Sequence, residues 1–316
     1  MIRFFFSRLA LACLMGMTLV LPAAASQRVW VVVAEAGGVQ AETAAVLQGG
    51  LDGLALQVAR RQLPLQDSEE PPALIVTVGA AAFEETLGWL AGRPGGWARV
   101  PVLATLLPRA AYDVQVTRHA PGIAGQRALS AAVLDQPLAR QLALLQRALP
   151  DRPRVGVLAG PQTRPLLPAL ERAATARGFR LVVAPVHAPE DLYPALRAVL
   201  EDADVILALS DPTVYHSATL QNILLATYRA RVPLVAFSPA YVKAGAVLAV
   251  YSTPAQVARR AAEMVKSWQA GRGLPPPQMP REFAVAANAK VAASLGVVLD
   301  DAALLAEDLR RQEGLQ

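Results

Sequence analysis

The stretch Val205-Ile206-Leu207-Ala208-Leu209-Ser210-Asp211-Pro212-Thr213 carries the decision about the fold. Its first five residues are an unbroken apolar run with no polar alternation, the pattern of a strand covered on both faces, as in the middle of a parallel sheet. The run ends in a serine, an acid and a proline, the chemistry of a chain leaving a strand and entering a helix. Val29–Val33, Leu74–Val78, Val102–Leu106, Val155–Leu158, Leu181–Val183, Leu234–Phe237 and Ala246–Val250 read the same way. Between these runs, Val39–Arg61, Ala82–Leu90, Pro137–Leu149, Pro165–Arg177, Pro189–Leu200 and Tyr215–Ala230 place apolar residues three and four apart, which predicts helices. On Pro137–Leu149 that spacing puts Leu138, Leu142, Leu145 and Leu149 on one face and leaves Arg140 and Arg147 to water. Alternating strand and helix specifies an α/β fold with right-handed crossovers.

The chain also echoes itself. Val29–Val33 followed by Ala34-Glu35 resembles Val155–Leu158 followed by Ala159-Gly160, and Leu74–Val78 with Gly79-Ala80 resembles Val205–Leu209 with Ser210-Asp211. Arg99-Val100-Pro101-Val102-Leu103-Ala104 resembles Arg231-Val232-Pro233-Leu234-Val235-Ala236. The offsets agree within a few residues, so the expectation is two similar doubly wound parallel-sheet lobes, 26–134 and 135–252. Residues 253–316 then supply a helix, a strand and a helical tail. In both lobes small and polar residues follow the carboxyl ends of the strands, where open α/β sheets bind ligands. Facing lobes would pair Ala34–Gly37 with Gly160–Arg164, Gly79–Ala81 with Ser210–Thr213, and Thr105–Pro108 with Ser238–Tyr241.

Residues 1–25 stand outside this pattern. Arg3 and Arg8 precede an apolar run from Leu9 to Leu21, and Ala23-Ala24-Ala25 offers small residues for cleavage before Ser26 or Gln27, the layout of a secretory signal peptide. The core is shorter than the roughly 20 residues of a membrane span. Ala10-Leu11-Ala12 ahead of Cys13 is a poor lipoprotein signal, so soluble export to the periplasm is expected.

Composition narrows the function. The 316 residues are 54% hydrophobic and 17% charged, which excludes an intrinsically disordered chain and suits two cored domains. Removing Arg3 and Arg8 with the leader lowers the basic count from 30 to 28 against 25 acids, a net of +3. Without a basic run, that balance excludes a nucleic-acid partner. Cleavage also removes the only cysteine, leaving neither a thiol nucleophile nor a thiolate metal site. No Gly-x-Ser-x-Gly, P-loop or His-Glu-x-x-His pattern occurs, and His119, His187 and His216 are scattered singly as surface or capping residues, so neither enzyme chemistry nor a metal or other cofactor is expected.

Between about Asp135 and Asp300 the chain resembles the ABC-transporter substrate-binding protein family, which includes periplasmic binding proteins for aromatic amino acids. The resemblance rests on Gln141–Leu158, Ser210-Asp211-Pro212-Thr213, Arg231-Val232-Pro233, Lys243-Ala244-Gly245-Ala246, Ala258–Ala262 and Asn288–Gly296. In the N-terminal lobe the chain departs from the family's Asp-Pro and Asn-Ile-Thr-Gly turns, with Leu107-Pro108-Arg109 and Gly122-Ile123-Ala124-Gly125 in their places. The resemblance implies a periplasmic binding protein-like fold of the class I type, monomeric, closing about a hinge on a small solute. It implies a three-crossing hinge with Pro254–Gly271 packed back on the first lobe, and a permease and ATPase as partners. The alternative is a periplasmic sensory or structural protein that uses the same fold to signal to a membrane partner.

The expected ligand-binding residues follow the strands: Glu35, Gly79 and Thr105 from the first lobe, and Gln162, Thr163, Asp211, Thr213, Ser238 and Tyr241 from the second. Asp211 suits a ligand amine, and equally suits the capping of the helix that Pro212 and Thr213 open. Backbone N–H groups of Gly160–Arg164 suit a carboxylate, and Ser238 with Tyr241 suit a largely apolar pocket or a capped turn. Glu35 faces a cationic group or solvent. Asp300 and Asp301 open a C-terminal helix read as a solvated tail.

Overall fold

The computed structural model describes residues 27–314 apart from 55, 67–69 and 124–127. The predicted leader, Ala124 and Gly125 lie outside the described residues.

The first α/β unit contains β1 (Gln27–Val33), α1 (Gly38–Leu51), β2 (Leu56–Gln62), β3 (Leu74–Val78), α2 (Ala80–Leu90), β4 (Val102–Leu107), α3 (Arg109–Ile123) and β5 (Leu129–Val133). Its strands form a fully parallel sheet in the order β2-β1-β3-β4-β5. There follow α4 (Leu138–Ala148), β6 (Arg154–Ala159), α5 (Leu167–Thr175), β7 (Arg180–Pro185), α6 (Leu192–Asp202), β8 (Val205–Leu207), α7 (Ser217–Arg229), β9 (Leu234–Ala236), α8 (Pro239–Ala244) and β10 (Leu248–Tyr251). The chain closes with α9 (Pro254–Ser267), β11 (Ala284–Ala287), α10 (Ala289–Ser294) and α11 (Ala302–Gln312). The second sheet runs β11-β10-β9-β8-β6-β7, parallel except for β11, which is antiparallel to β10. Read from its other edge, β7-β6-β8-β9-β10 repeats the strand order of the first sheet. The three internal sequence echoes fall on the topologically equivalent pairs β1/β6, β3/β8 and β4/β9.

Burial on both faces explains the continuous apolar runs. Val29, Val31 and Val33 pack with Ala44 and Leu47 of α1 and with Ala258, Ala261 and Met264 of α9, while Trp30 and Val32 point the other way to Phe83, Leu87 and Tyr112. Thus α9, which leaves the second sheet at β10, lies on the first. Small residues let it approach closely: a β-carbon on Gly50 would lie 3.2 Å from that of Ala262.

Several expectations need correction. The stretch Val39–Arg61 is not one helix; α1 ends at Leu51, Gly53 turns the chain at φ 78°, and the remainder is β2. Leu56 and Val58 pack on the core with Gln57 exposed between them, because β2 is an edge strand. The apolar run of β7 predicts burial on both faces, but β7 lies at the edge of the second sheet and exposes Val183. Strand β5 and helix α3 escaped the reading, the first being short and interrupted by Ser130, the second lacking a clean apolar period. Arg140 is not left to water: it is 3% exposed. Helix α11 is not a solvated tail, since Leu305, Ala306 and Leu309 enter the second core and Arg147 pairs with both Asp300 and Asp308. His119 is no simple surface residue either, with Nε2 buried and unpartnered among the described residues.

Candidate functional site

Asp211, just beyond β8, organises the second sheet's strand-end loops. One carboxylate oxygen accepts from the backbone N–H groups of Gln162 (2.9 Å) and Thr163 (3.0 Å) and from the Thr163 hydroxyl (3.1 Å). The other accepts from the Thr213 N–H at 3.0 Å. Three donors converge on one oxygen and one reaches the other, and Asp211 is 1% exposed. As positioned, Asp211 has no open face for a ligand amine; it joins the loop after β6 to the turn after β8. Thr163 is buried beside it, whereas Gln162 is half-buried at the surface of the same loop. Thr213 does not open the next helix. It sits in a turn closed by Val214 and Tyr215 N–H groups donating to the Asp211 carbonyl, at 3.1 and 2.8 Å, and α7 begins only at Ser217.

The first sheet has a comparable arrangement built from other residues. The Gln40 side-chain oxygen, from the first turn of α1, accepts from the N–H groups of Ala34 (3.1 Å) and Glu35 (3.4 Å). Gly79, at φ 96°, is the place after β3 where that amide fits: a β-carbon there would lie 3.2 Å from the amide carbon. The Gly79 N–H donates to the Thr105 carbonyl at 2.8 Å. Glu35 is thereby left exposed on a fixed backbone. Thr105 differs from expectation: its side chain is fully buried in β4, so it supports the loops from beneath and lines no surface. The residue after it, Leu106, has φ 58° where the β4–β5 register shifts, a left-handed conformation that costs a non-glycine residue on the order of 1 kcal/mol.

Around β9 the site is aromatic. Phe237 and Tyr241 lie 4.9 Å apart between ring centroids, and each meets Tyr215, at 6.0 and 6.4 Å. Burial pushes both the Tyr215 and Tyr241 hydroxyls above the ordinary phenol range, Tyr215 far more so, with the Tyr241 and Asp211 charges adding to the effect at Tyr215. The Tyr215 hydroxyl is buried and unpartnered among the described residues. Ser238 caps α8 by accepting from the Ala240 N–H at 3.2 Å. Of the expected residues, then, Gln162, Thr163, Asp211 and Thr213 are brought into one cluster, Ser238 and Tyr241 share the next strand end, and Glu35 and Gly79 meet through Gln40. Gln40, Tyr215 and Phe237 escaped as site residues, and Gly160 was expected only for its backbone N–H. The one usable signal was placement, since each lies within eight residues of a strand's carboxyl end.

Two α/β units with the same strand order define a periplasmic binding protein-like fold, and solved structures with this fold span most of the chain. A substrate-binding protein with adhesive properties from Clostridium difficile, in its ligand-free open form, superposes with a TM-score of 0.63 at 13% identity, over 87% of this chain and 96% of that one. A conserved domain protein from Vibrio cholerae gives 0.59 at 20% identity, over 89% and 98%. An ABC domain from Streptococcus pneumoniae in complex with L-Trp gives 0.58 at 12% identity, also over 89% and 98%. The family model for the ABC transporter substrate binding protein matches residues 133–308, more than half of the chain, and the chain belongs to that family. No curated protein matches it. Substrate-binding proteins of this kind bind small ligands and work with an ABC permease and ATPase.

Proposed function

We propose that the chain is the solute-binding component of an ABC importer, exported to the periplasm by a leader ending near Ala25. In this reading the units 26–134 and 135–252 close on a small, amino-acid-like solute. The observation that carries it is the pair of polar clamps, Gln40 beneath Glu35 and Asp211 beneath Gln162, which fix the strand-end loops of both sheets. Preorganised loops cost less to order on binding than mobile ones. Glu35 supplies the negative charge for an amine, in place of the enclosed Asp211. Gln162 supplies a polar group opposite, and Phe237 with Tyr241 supplies an apolar wall. The L-Trp held by the S. pneumoniae domain is a solute of this class.

The test is mass spectrometry of small molecules released by denaturing protein purified natively from the periplasmic fraction, followed by thermal melts with the recovered compound. A stoichiometric amino-acid-like molecule is expected, and at one hundred times its Kd it should add about 2.7 kcal/mol of stability. Recovery of no molecule, with unchanged melts across the amino acids at millimolar concentration, contradicts the reading. N-terminal sequencing of the same sample should begin at Ser26 or Gln27.

A further inference from the structure

The chain passes between the two sheets three times: from β5 into α4 at 134–137, from β10 into α9 at 252–253, and from Gln278, which bridges to Ala132 of the first sheet, into β11 at 279–283. Ordinary side chains join these crossings. The Gln136 amide donates to the Ser252 hydroxyl at 2.9 Å, and that hydroxyl donates to the Glu282 carbonyl at 2.9 Å. Arg140 holds the set. Its Nε donates to one Glu313 carboxylate oxygen at 2.7 Å and its Nη2 to the other at 2.5 Å. Nη2 also donates to the Arg281 carbonyl at 3.3 Å, and Nη1 to the Gln136 side-chain oxygen at 2.8 Å and the Pro280 carbonyl at 3.1 Å. All five guanidinium N–H donors are used. The side chain is 4% exposed, and its guanidinium carbon lies 4.2 Å from the centroid of the Phe283 ring.

A buried guanidinium needs a counter-charge, because an unpaired charge out of water is strongly destabilising. Glu313, immediately after α11, provides it from the far end of the chain. Helices α4 and α11 both pack in the second core, through Leu142, Leu145, Leu305 and Leu309. Arg140 and Glu313 therefore form a fixed node on the second unit that grips 280–281 directly, Gln136 directly, and Ser252 through Gln136. We infer that Arg140 is a positioning residue for the movement of the two units, and that the C-terminal Glu313 sets how freely the three crossings bend. A neutral or missing Glu313 releases the guanidinium toward water and loosens the crossings together. The inference takes from the proposed function only that the units move against each other.

Hydrogen–deuterium exchange of the whole chain without added solute tests this, comparing the unaltered protein with Glu313→Gln, with a chain ending at Gln312, and with Arg140→Lys. Peptides covering 134–137, 252–253 and 279–283 should exchange roughly tenfold faster or more in all three variants, while β6 and β8 keep their protection. Lysine retains the charge but replaces a five-donor fork by a point charge, so it should not rescue. A merely stabilising ion pair predicts otherwise: an even rise across the second unit, relieved by lysine. That result, or unchanged crossings in the Gln and shortened chains, overturns the inference. Should Arg140→Lys fail to fold, the two Glu313 variants decide alone. The readout needs no solute, so failure to identify one leaves this test intact.

Discussion

The carboxyl group of Asp211 occupies the space that a β-carbon on Gly160 would need, with only 2.4 Å between that position and the carboxyl carbon. Glycine is required there by proximity, and the reason is a single neighbour 51 positions along the chain. Gly160→Ala should therefore cost about 1–3 kcal/mol by overpacking. Asp211→Ala should cost about 2–4 kcal/mol, because three backbone N–H groups and a hydroxyl lose their acceptor. The double variant should lose little more than Asp211→Ala alone. Urea unfolding of the four proteins measures this, and simple additivity contradicts the account.

Gly156 offers the control. A β-carbon there would meet Ile206 at 2.5 Å, Ala203 at 2.7 Å and Val199 at 2.9 Å, all apolar and buried in the cluster between α6 and the second sheet. Gly156→Ala should also lose about 1–3 kcal/mol. The two variants should part in titrations with the recovered solute: Gly160→Ala weakens binding because it moves the loop that presents Gln162, whereas Gly156→Ala leaves the affinity unchanged. Equal effects on affinity would mean that the loop is not part of the binding surface.

Apart from the edge strand β7, the strands legible in the sequence are those with two buried faces. Strands β1, β3, β4, β6, β8, β9 and β10 announce themselves as apolar runs because helices cover both sides. Strand β2 does not, since an edge strand with one face on the core alternates, and the single glycine after α1, Gly53, is too weak a stop. Site residues were legible as positions and less so as roles. Asp211 stands where a ligand contact or a cap belongs, but its donors at 162 and 163 lie 49 and 48 residues away and no local pattern reveals them. Thr105 is the one polar residue of β4, and its type alone does not reveal that its side chain is fully buried. Arg140 lies on the polar face of α4, yet that face is covered by Glu313, 173 residues on.

Acid should reveal a tie between the starts of two neighbouring strands. Asp204, ahead of β8, accepts from Arg154 at the start of β6 through the backbone N–H (2.9 Å), Nε (3.1 Å) and Nη2 (2.6 Å). The Arg154 side-chain hydrogen bonds hold the Asp204 carboxyl below its ordinary range, against a smaller opposing effect of burial. As pH falls through about 4 the unfolded chain takes up its proton first, so this stabilisation is present above that value and is lost as pH falls further. Thermal melts should therefore show Asp204→Asn less stable than the unaltered protein at pH 7, with the gap closing as pH falls below the ordinary aspartate range. A gap that is constant with pH would assign the effect to packing. The pair lies at the amino ends of the strands, so solute affinity at pH 7 should not change.

Gln40 separates loop positioning from fold stability most cleanly. Its side chain holds the Ala34 and Glu35 N–H groups from the surface of α1, in a half-buried setting where water can replace it. Gln40→Ala should therefore lower stability by only about 1 kcal/mol, the ordinary net value of such hydrogen bonds. Binding should suffer more, because the loop carrying Glu35 must then be ordered at the moment the solute arrives. Fixing even a few backbone residues costs roughly 1–2 kcal/mol each, so a tenfold or larger rise in Kd for the recovered solute is expected. Glu35→Gln makes the complementary change, leaving the backbone clamp and removing the charge; it should weaken binding without altering the melting temperature. If Gln40→Ala lowers the melting temperature as much as Asp211→Ala while Kd stays the same, the first unit's clamp belongs to the fold and not to the site.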